Sequence, residues 1–159
     1  MIEFFVPGNP KAQMRHRTYG LRDGRRIQVD PSKADKQTFL ALAMQHRPAE
    51  PLTGPICLRL ICVFPRPKSH YHTGAKAGQL RMKSPFWRPS APDWDNVGKF
   101  VADALNGVYW RDDRLIVSGR VDMVYGEKPG IYVRIWEPTG QEEMDVIAEM
   151  ARVTIAMEG

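Results

Sequence analysis

Residues Pro92–Asp113 read PDWDNVGKFVADALNGVYWRDD. The stretch predicts a helix over Asn96–Leu105, stopped by Asn106-Gly107. Working outward, Ile56–Phe64 (ICLRLICVF) on one side is β-rich and reads as a core strand. On the other side, Leu115–Tyr125 and Ile131–Trp136 read as paired strands across a Gly-Glu-Lys-Pro-Gly turn. Further out, Ile2–Val6 reads as a first strand, and Arg15–Tyr19 with Ile27–Val29 as a hairpin around GLRDGRR. Asp30 is placed to cap a helix with Pro31 in its first position. That helix is expected to run to about His46 on an apolar face of Ala34, Phe39, Leu42 and Ala43, ended by Pro48 and Pro51. Thr139 and Glu142 match a capping box ahead of an amphipathic helix from Gly140 to about Met157.

The chain has 159 residues, the size of one ordinary domain. Strands and helices are mixed, with no repeat and no second composition block, so the expected fold is a single α+β domain. Residues 1–137 are expected to form it, with 138–159 as an appended acidic helix. No apolar run approaches the roughly 20 residues that span a bilayer. The opening MIEFFVPGNP lacks the marks of a signal peptide, so a cytoplasmic protein is expected. Cys57 and Cys62 are five apart in a strand, on opposite faces, and are not expected to pair.

Net charge is +5, from 23 Lys+Arg against 18 Asp+Glu. From Glu137 onward there are six acids and one base, so the first 136 residues hold 22 bases and 12 acids, a net of +10. Between Glu50 and Asp93 seven bases stand with no acid. Such a field attracts a polyanion. Most of these bases lie in the segment 65–92, which has no clean periodicity and reads as a flexible basic loop closing on DNA. Arg66, Lys68, Lys76, Arg81, Lys83 and Arg88 of this loop, with Arg15 and Arg17 of the hairpin, are the candidate DNA contacts.

Against that basic background, the opening stretch carries five aspartates. Asp93 and Asp95 are two apart, so in an extended segment both carboxylates face one way. Asp95, Lys99 and Asp103 follow at helical spacing, and Asp112-Asp113 come after a turn that can fold back toward the helix start. Close carboxylates repel unless a cation lies among them. Oxygen-only ligands suit Mg²⁺ or Mn²⁺ rather than Zn²⁺, and such an ion can activate water at a phosphodiester. Each aspartate also has a plain reading: Asp95 as a helix cap, Asp103 as a partner of Lys99, Asp112-Asp113 as turn acids. Trp87, Trp94 and Trp110 flank the cluster, as base-stacking platforms or, for Trp110, as core.

PDWDNVGKFVADALNGVYWRDDRLIV resembles the signature of the RusA-like family of Holliday-junction resolvases: D-x-D-N, a lysine shortly after, D-A-L, an aromatic, then D-D before a strand. FVPGNPKAQMRHR, PRPKSHY and YGEKPGIYVRI are also similar, so the likeness spans about Met1 to Trp136. It implies a small mixed β-sheet packed by helices, to which the C-terminal helix is an addition. It implies that Asp93, Asp95 and Asp113 bind metal with Asp112 beside them, and that Lys99 is catalytic. It further implies a Mg²⁺-dependent homodimer, Mn²⁺ substituting, that nicks four-way junctions in opposed strands during recombination and repair. A broader debranching nuclease and a non-catalytic junction-binding protein are the alternatives.

Overall fold

The computed structural model describes residues 1–158, with side chains described through residue 150. Four strands form one mixed sheet: β1 (Ile2–Pro7), β4 (Ile56–Pro65), β5 (Ile116–Gly126) and β6 (Gly130–Trp136), in the order β1-β6-β4-β5. β1 and β6 are antiparallel, β6 and β4 antiparallel, and β4 and β5 parallel. β2 (Arg17–Gly20) and β3 (Arg26–Val29) form a separate hairpin. The helices are α1 (Lys33–Ala43), α2 (Trp94–Leu105) and α3 (Gly140–Glu158). The fold is therefore the expected α+β, with a mixed sheet.

One pairing differs from expectation. β5 and β6 flank the turn over 126–130, yet they do not pair, because β4 lies between them. β4 is apolar along nearly its whole length and is buried on both faces, which suits a strand with neighbours on each side. Cys57 and Cys62 are buried in it and unbonded to each other. The parallel β4–β5 pair requires a crossover, and α2 provides it.

One sheet face forms the core. Phe4, Val6, Leu58, Leu60, Cys62, Ile131, Val133 and Ile135 meet α1 and α2 there. α2 buries Val97, Phe100, Val101, Ala104 and Leu105, a spacing that keeps one stripe inward. Phe39 of α1 meets Phe100 edge-on at 5.9 Å, and the Tyr109 hydroxyl donates to the Ala43 carbonyl at 2.6 Å. Gly98 lets α2 lie close to β5, since a Cβ there would sit 3.1 Å from a Val121 methyl.

α1 starts two residues later than its sequence signals suggest. Asp30 accepts from the Ser32 N–H at 2.9 Å in a turn ahead of the helix, and Ser32 takes the capping position. Phe39 and Ala43 are buried as expected, but Ala34 and Leu42 are exposed. The face they were assigned to is rotated so that Lys36 points inward instead. Its ammonium lies 2.5 Å from Asp30 and 3.3 Å from Asp103, with only 16% of the side chain exposed. The Lys36 bond holds the Asp30 carboxyl below its ordinary range. Burial opposes the Lys36 charge, but the two carboxylates outweigh it and its pKa is raised. The depressed Asp30 contributes stability that is lost as pH falls below about 3.8, and the raised Lys36 contributes stability that is lost as pH rises above about 10.5. Lys36→Met is expected to cost about 2 kcal/mol in urea unfolding at neutral pH, because two part-buried carboxylates lose their partner.

The segment between β4 and α2 is more ordered than its composition suggests. Tyr71 and Leu80 form a bridge, and the His70 carbonyl accepts from the Arg81 N–H at 2.9 Å and the Ser84 hydroxyl at 2.8 Å. Its end lies along the outer edge of β5. There the Arg88 N–H donates to the Met123 carbonyl at 3.0 Å, and the Tyr125 N–H to the Phe86 carbonyl at 2.8 Å. The expected capping box of α3 is present: the Thr139 N–H donates to Glu142 at 2.8 Å and the Glu142 N–H to the Thr139 hydroxyl at 3.3 Å. Among the described residues no helix is long and apolar enough to cross a membrane.

Candidate active site

The crossover fixes where the aspartates lie. The chain leaves the far end of β5 at Phe86–Arg88, starts α2, and returns to the near end of β5 at Ile116. α2 therefore runs against β5, with Asp93 and Asp95 at its first turn and Asp112-Asp113 beyond its last. Twelve helical residues separate the two ends by about 17 Å.

Asp93 occupies the capping position in an extended conformation, but its side chain makes no capping hydrogen bond. Asp95 already lies within the first helical turn, so the pair does not share one extended run as the spacing suggests. Both carboxylates are exposed and neither makes a hydrogen bond or ion pair. Lys99 is exposed one turn on and pairs with neither Asp95 nor Asp103. Asp95 and Trp94 line a groove of about 220 Å³ between α2 and β5, closed by Leu60, Gly98, Ile116 and Val121.

The other three aspartates are engaged. Asp103 serves Lys36, 67 residues away, rather than Lys99. Asp112 accepts from the Arg114 backbone at 2.9 Å and from its guanidinium at 2.9 and 3.1 Å, which holds its carboxyl below the usual range. Asp113 accepts from the indole N–H of Trp110 at 2.9 Å. Asp112 and Asp113 thus bond within their own turn, and neither bonds Asp93 or Asp95. Among the described residues no three His, Cys, Asp or Glu side chains lie close enough to hold a metal ion together.

The aromatic residues divide clearly. Trp110 is fully buried. Trp87 and Trp94 are 58% and 61% exposed, and Phe86 packs edge-on to Trp87 at 5.1 Å. The candidate DNA contacts divide too. Arg66 donates to the Pro85 carbonyl at 2.9 Å and Arg81 to the Tyr71 carbonyl at 2.9 Å. Arg88 donates to Ser90 and Ala91 and stacks over Phe64. These arginines tie the loop down. Lys68, Lys76 and Lys83, with Arg15 and Arg17 of the hairpin, are exposed and make no side-chain bond.

Sequence reasoning missed how closely the hairpin stands to this site. The Gln13 N–H donates to the Asn96 carbonyl at 2.9 Å, seating the base of β2 beside Asp95. No local signal announces that contact, which joins residues far apart in the chain.

A model of the Endodeoxyribonuclease RusA family matches residues 7–136. The chain belongs to this family. The match begins in β1 and ends with β6, so α3 lies outside it. The RusA-family chain is also 37% identical over 139 residues to the uncharacterized protein YqaN of Bacillus subtilis (strain 168), covering 86% of this chain and 96% of that protein. Membership makes the chain an endodeoxyribonuclease.

Proposed function

We propose that the chain is a divalent-metal-dependent endonuclease that resolves four-way DNA junctions, as a cytoplasmic homodimer making paired symmetric nicks in recombination and repair. One observation carries this reading. Of the five aspartates in Pro92–Asp113, only Asp93 and Asp95 are exposed and without a partner, and an unpaired Lys99 stands one turn away. Two exposed acids with no side-chain partner inside a basic chain are free to take a cation.

The donor set fits Mg²⁺, or Mn²⁺ in its place. Mg²⁺ commonly takes one or two carboxylates and completes its shell with water and substrate phosphate. Asp93 and Asp95 would hold it, and when bound it supplies Lewis acidity and a more acidic water at the scissile phosphate. The helix N-terminus lies beside the same spot and favours negative charge there. Lys99 presents a fixed positive charge to the charge developing on the phosphorus oxygens. Trp94 and Trp87 offer ring faces to distorted bases near the cut. Asp112 and Asp113 follow the far end of α2, and among the described residues no three acids could hold an ion together, so we assign the Asp113 carboxylate, with Asp112 beside it, to the site of the second protomer. A two-fold dimer has both sites built the same way, as two opposed nicks require.

The test is a labelled mobile four-way junction incubated with and without Mg²⁺, beside flaps and three-way junctions. Symmetric nicks in opposed strands, absent without the ion, are expected. Salt-sensitive binding with no divalent-dependent nicking would overturn the reading. Replacing Lys68, Lys76 and Lys83 together by Ala is expected to weaken junction binding and reduce the slope of log K against log salt by about 2 to 3. An unchanged slope would remove these lysines from the phosphate path.

A further inference from the structure

The β2–β3 hairpin is unlike the rest of the fold. All eight of its strand residues are exposed, and it pairs with no other strand. Two strands alone are marginal in water without something to pack on. The register places Tyr19 opposite Ile27 and Arg17 opposite Val29, so these four side chains share one face. Tyr19, Ile27 and Val29 are 50%, 46% and 42% exposed. The other face carries Thr18, Gln28 and Arg26.

The hairpin is also firmly seated. At its base the Met14 N–H donates to the buried Ser32 hydroxyl at 2.8 Å, and the Gln13 amide donates to Asp30 at 3.1 Å. The Gln13–Asn96 bond sets that base next to the first turn of α2. An exposed apolar face is thus held beside Asp95 on a fixed stalk.

Charge identifies what covers it. Five arginines lie between Arg15 and Arg26, and of these only Arg25 is neutralised, by Asp23 at 2.6 Å. A second copy would bring two hairpins with four unneutralised arginines each together, whereas a polyanion neutralises them. The partner must be a polyanion that also offers flat apolar surface, which describes a nucleic acid with base faces uncovered. An intact duplex shows only phosphates and groove edges to such a face; base faces are open at a branch point.

We infer that the β2–β3 hairpin reads the branch: Tyr19 and Ile27 pack on unstacked bases at the crossover while Arg17 on the same face and Arg22 in the turn hold the flanking phosphates. Preference for branched over linear DNA then resides in the hairpin, and the lysines of the 66–88 segment add affinity without regard to shape. This inference rests on the proposed junction nuclease activity, but its test does not need catalysis.

The test measures binding of the full chain, without divalent metal, to a four-way junction and to a linear duplex of equal length. Tyr19→Ser/Ile27→Ser is expected to lower the junction-over-duplex ratio at least about tenfold while duplex binding changes little. A 2-aminopurine at the crossover is expected to lose the fluorescence change that the wild-type chain produces on binding. Tyr19→Phe keeps the ring and is expected to retain the wild-type ratio, which guards against a loss caused by misfolding. An unchanged ratio in the double serine variant would overturn the inference. So would a change from dimer to monomer in that variant, which would make the face a contact between copies. Failure of the nuclease reading shows instead as absent divalent-dependent nicking by the wild-type chain, with the binding ratio still measurable.

Discussion

Asp95→Asn is expected to bind a four-way junction at least as tightly as the wild-type chain and to nick it at least about a hundredfold more slowly. The substitution keeps the shape of an exposed side chain that makes no bond within the protein, so folding is untouched. It removes one negative charge from the path of a polyanion, which favours binding. It also removes half of the carboxylate pair assigned to the ion, and weakened support of a metal alone costs tenfold to a hundredfold. The measurement is single-turnover nicking in Mg²⁺ beside a gel-shift titration. Wild-type cleavage by this variant would end the proposal. The same variant tests the shared site: mixed with Asp113→Asn, it is expected to recover activity through heterodimers in which one site keeps both wild-type contributions. No recovery would return Asp113 to a purely structural role.

Trp110→Ala carries the largest expected effect on stability. The indole is fully buried in the core, and its N–H donates to Asp113 at 2.9 Å. Truncation leaves a large cavity under the link from α2 to β5 and strands a half-buried carboxylate. The expected cost is about 4 kcal/mol, a large part of the 5 to 15 kcal/mol typical of a whole domain. In a chain of this size Tm should fall by about 10 °C or more, read by circular dichroism. Trp110→Phe keeps most of the packing and frees Asp113, so it should lose much less. An alanine variant melting within a degree or two of wild type would refute the packing account.

How much of this was legible in the sequence differs by element, for physical reasons. Helix α2 was legible because its stop signal and its apolar stripe lie within one short stretch. The sheet order was not. The turn over Gly126–Gly130 invites β5 and β6 to pair, and nothing local says that β4 inserts between them; alternation along a strand reports its faces and not its neighbours. The motif drew attention to five aspartates, but not to their division of labour. Asp103 is taken by Lys36 and Asp113 by Trp110, and only the folded chain shows that Asp93 and Asp95 remain free. The segment after β4 read as a structureless loop because its ties are aperiodic, arginine side chains donating to carbonyls.

The pairing of β1 with β6 has a consequence for how the enzyme is made. Ile2 faces Ile135 in that ladder, so one of the first residues synthesised must wait for one more than 130 positions later. Elongation at about 5 to 20 residues per second makes that wait several seconds long. By its end the α2 segment carrying Asp93 and Asp95 has been synthesised, but the sheet that backs it lacks its β1–β6 ladder. Nuclease competence, which needs the sheet behind α2, is therefore expected only after translation has passed β6.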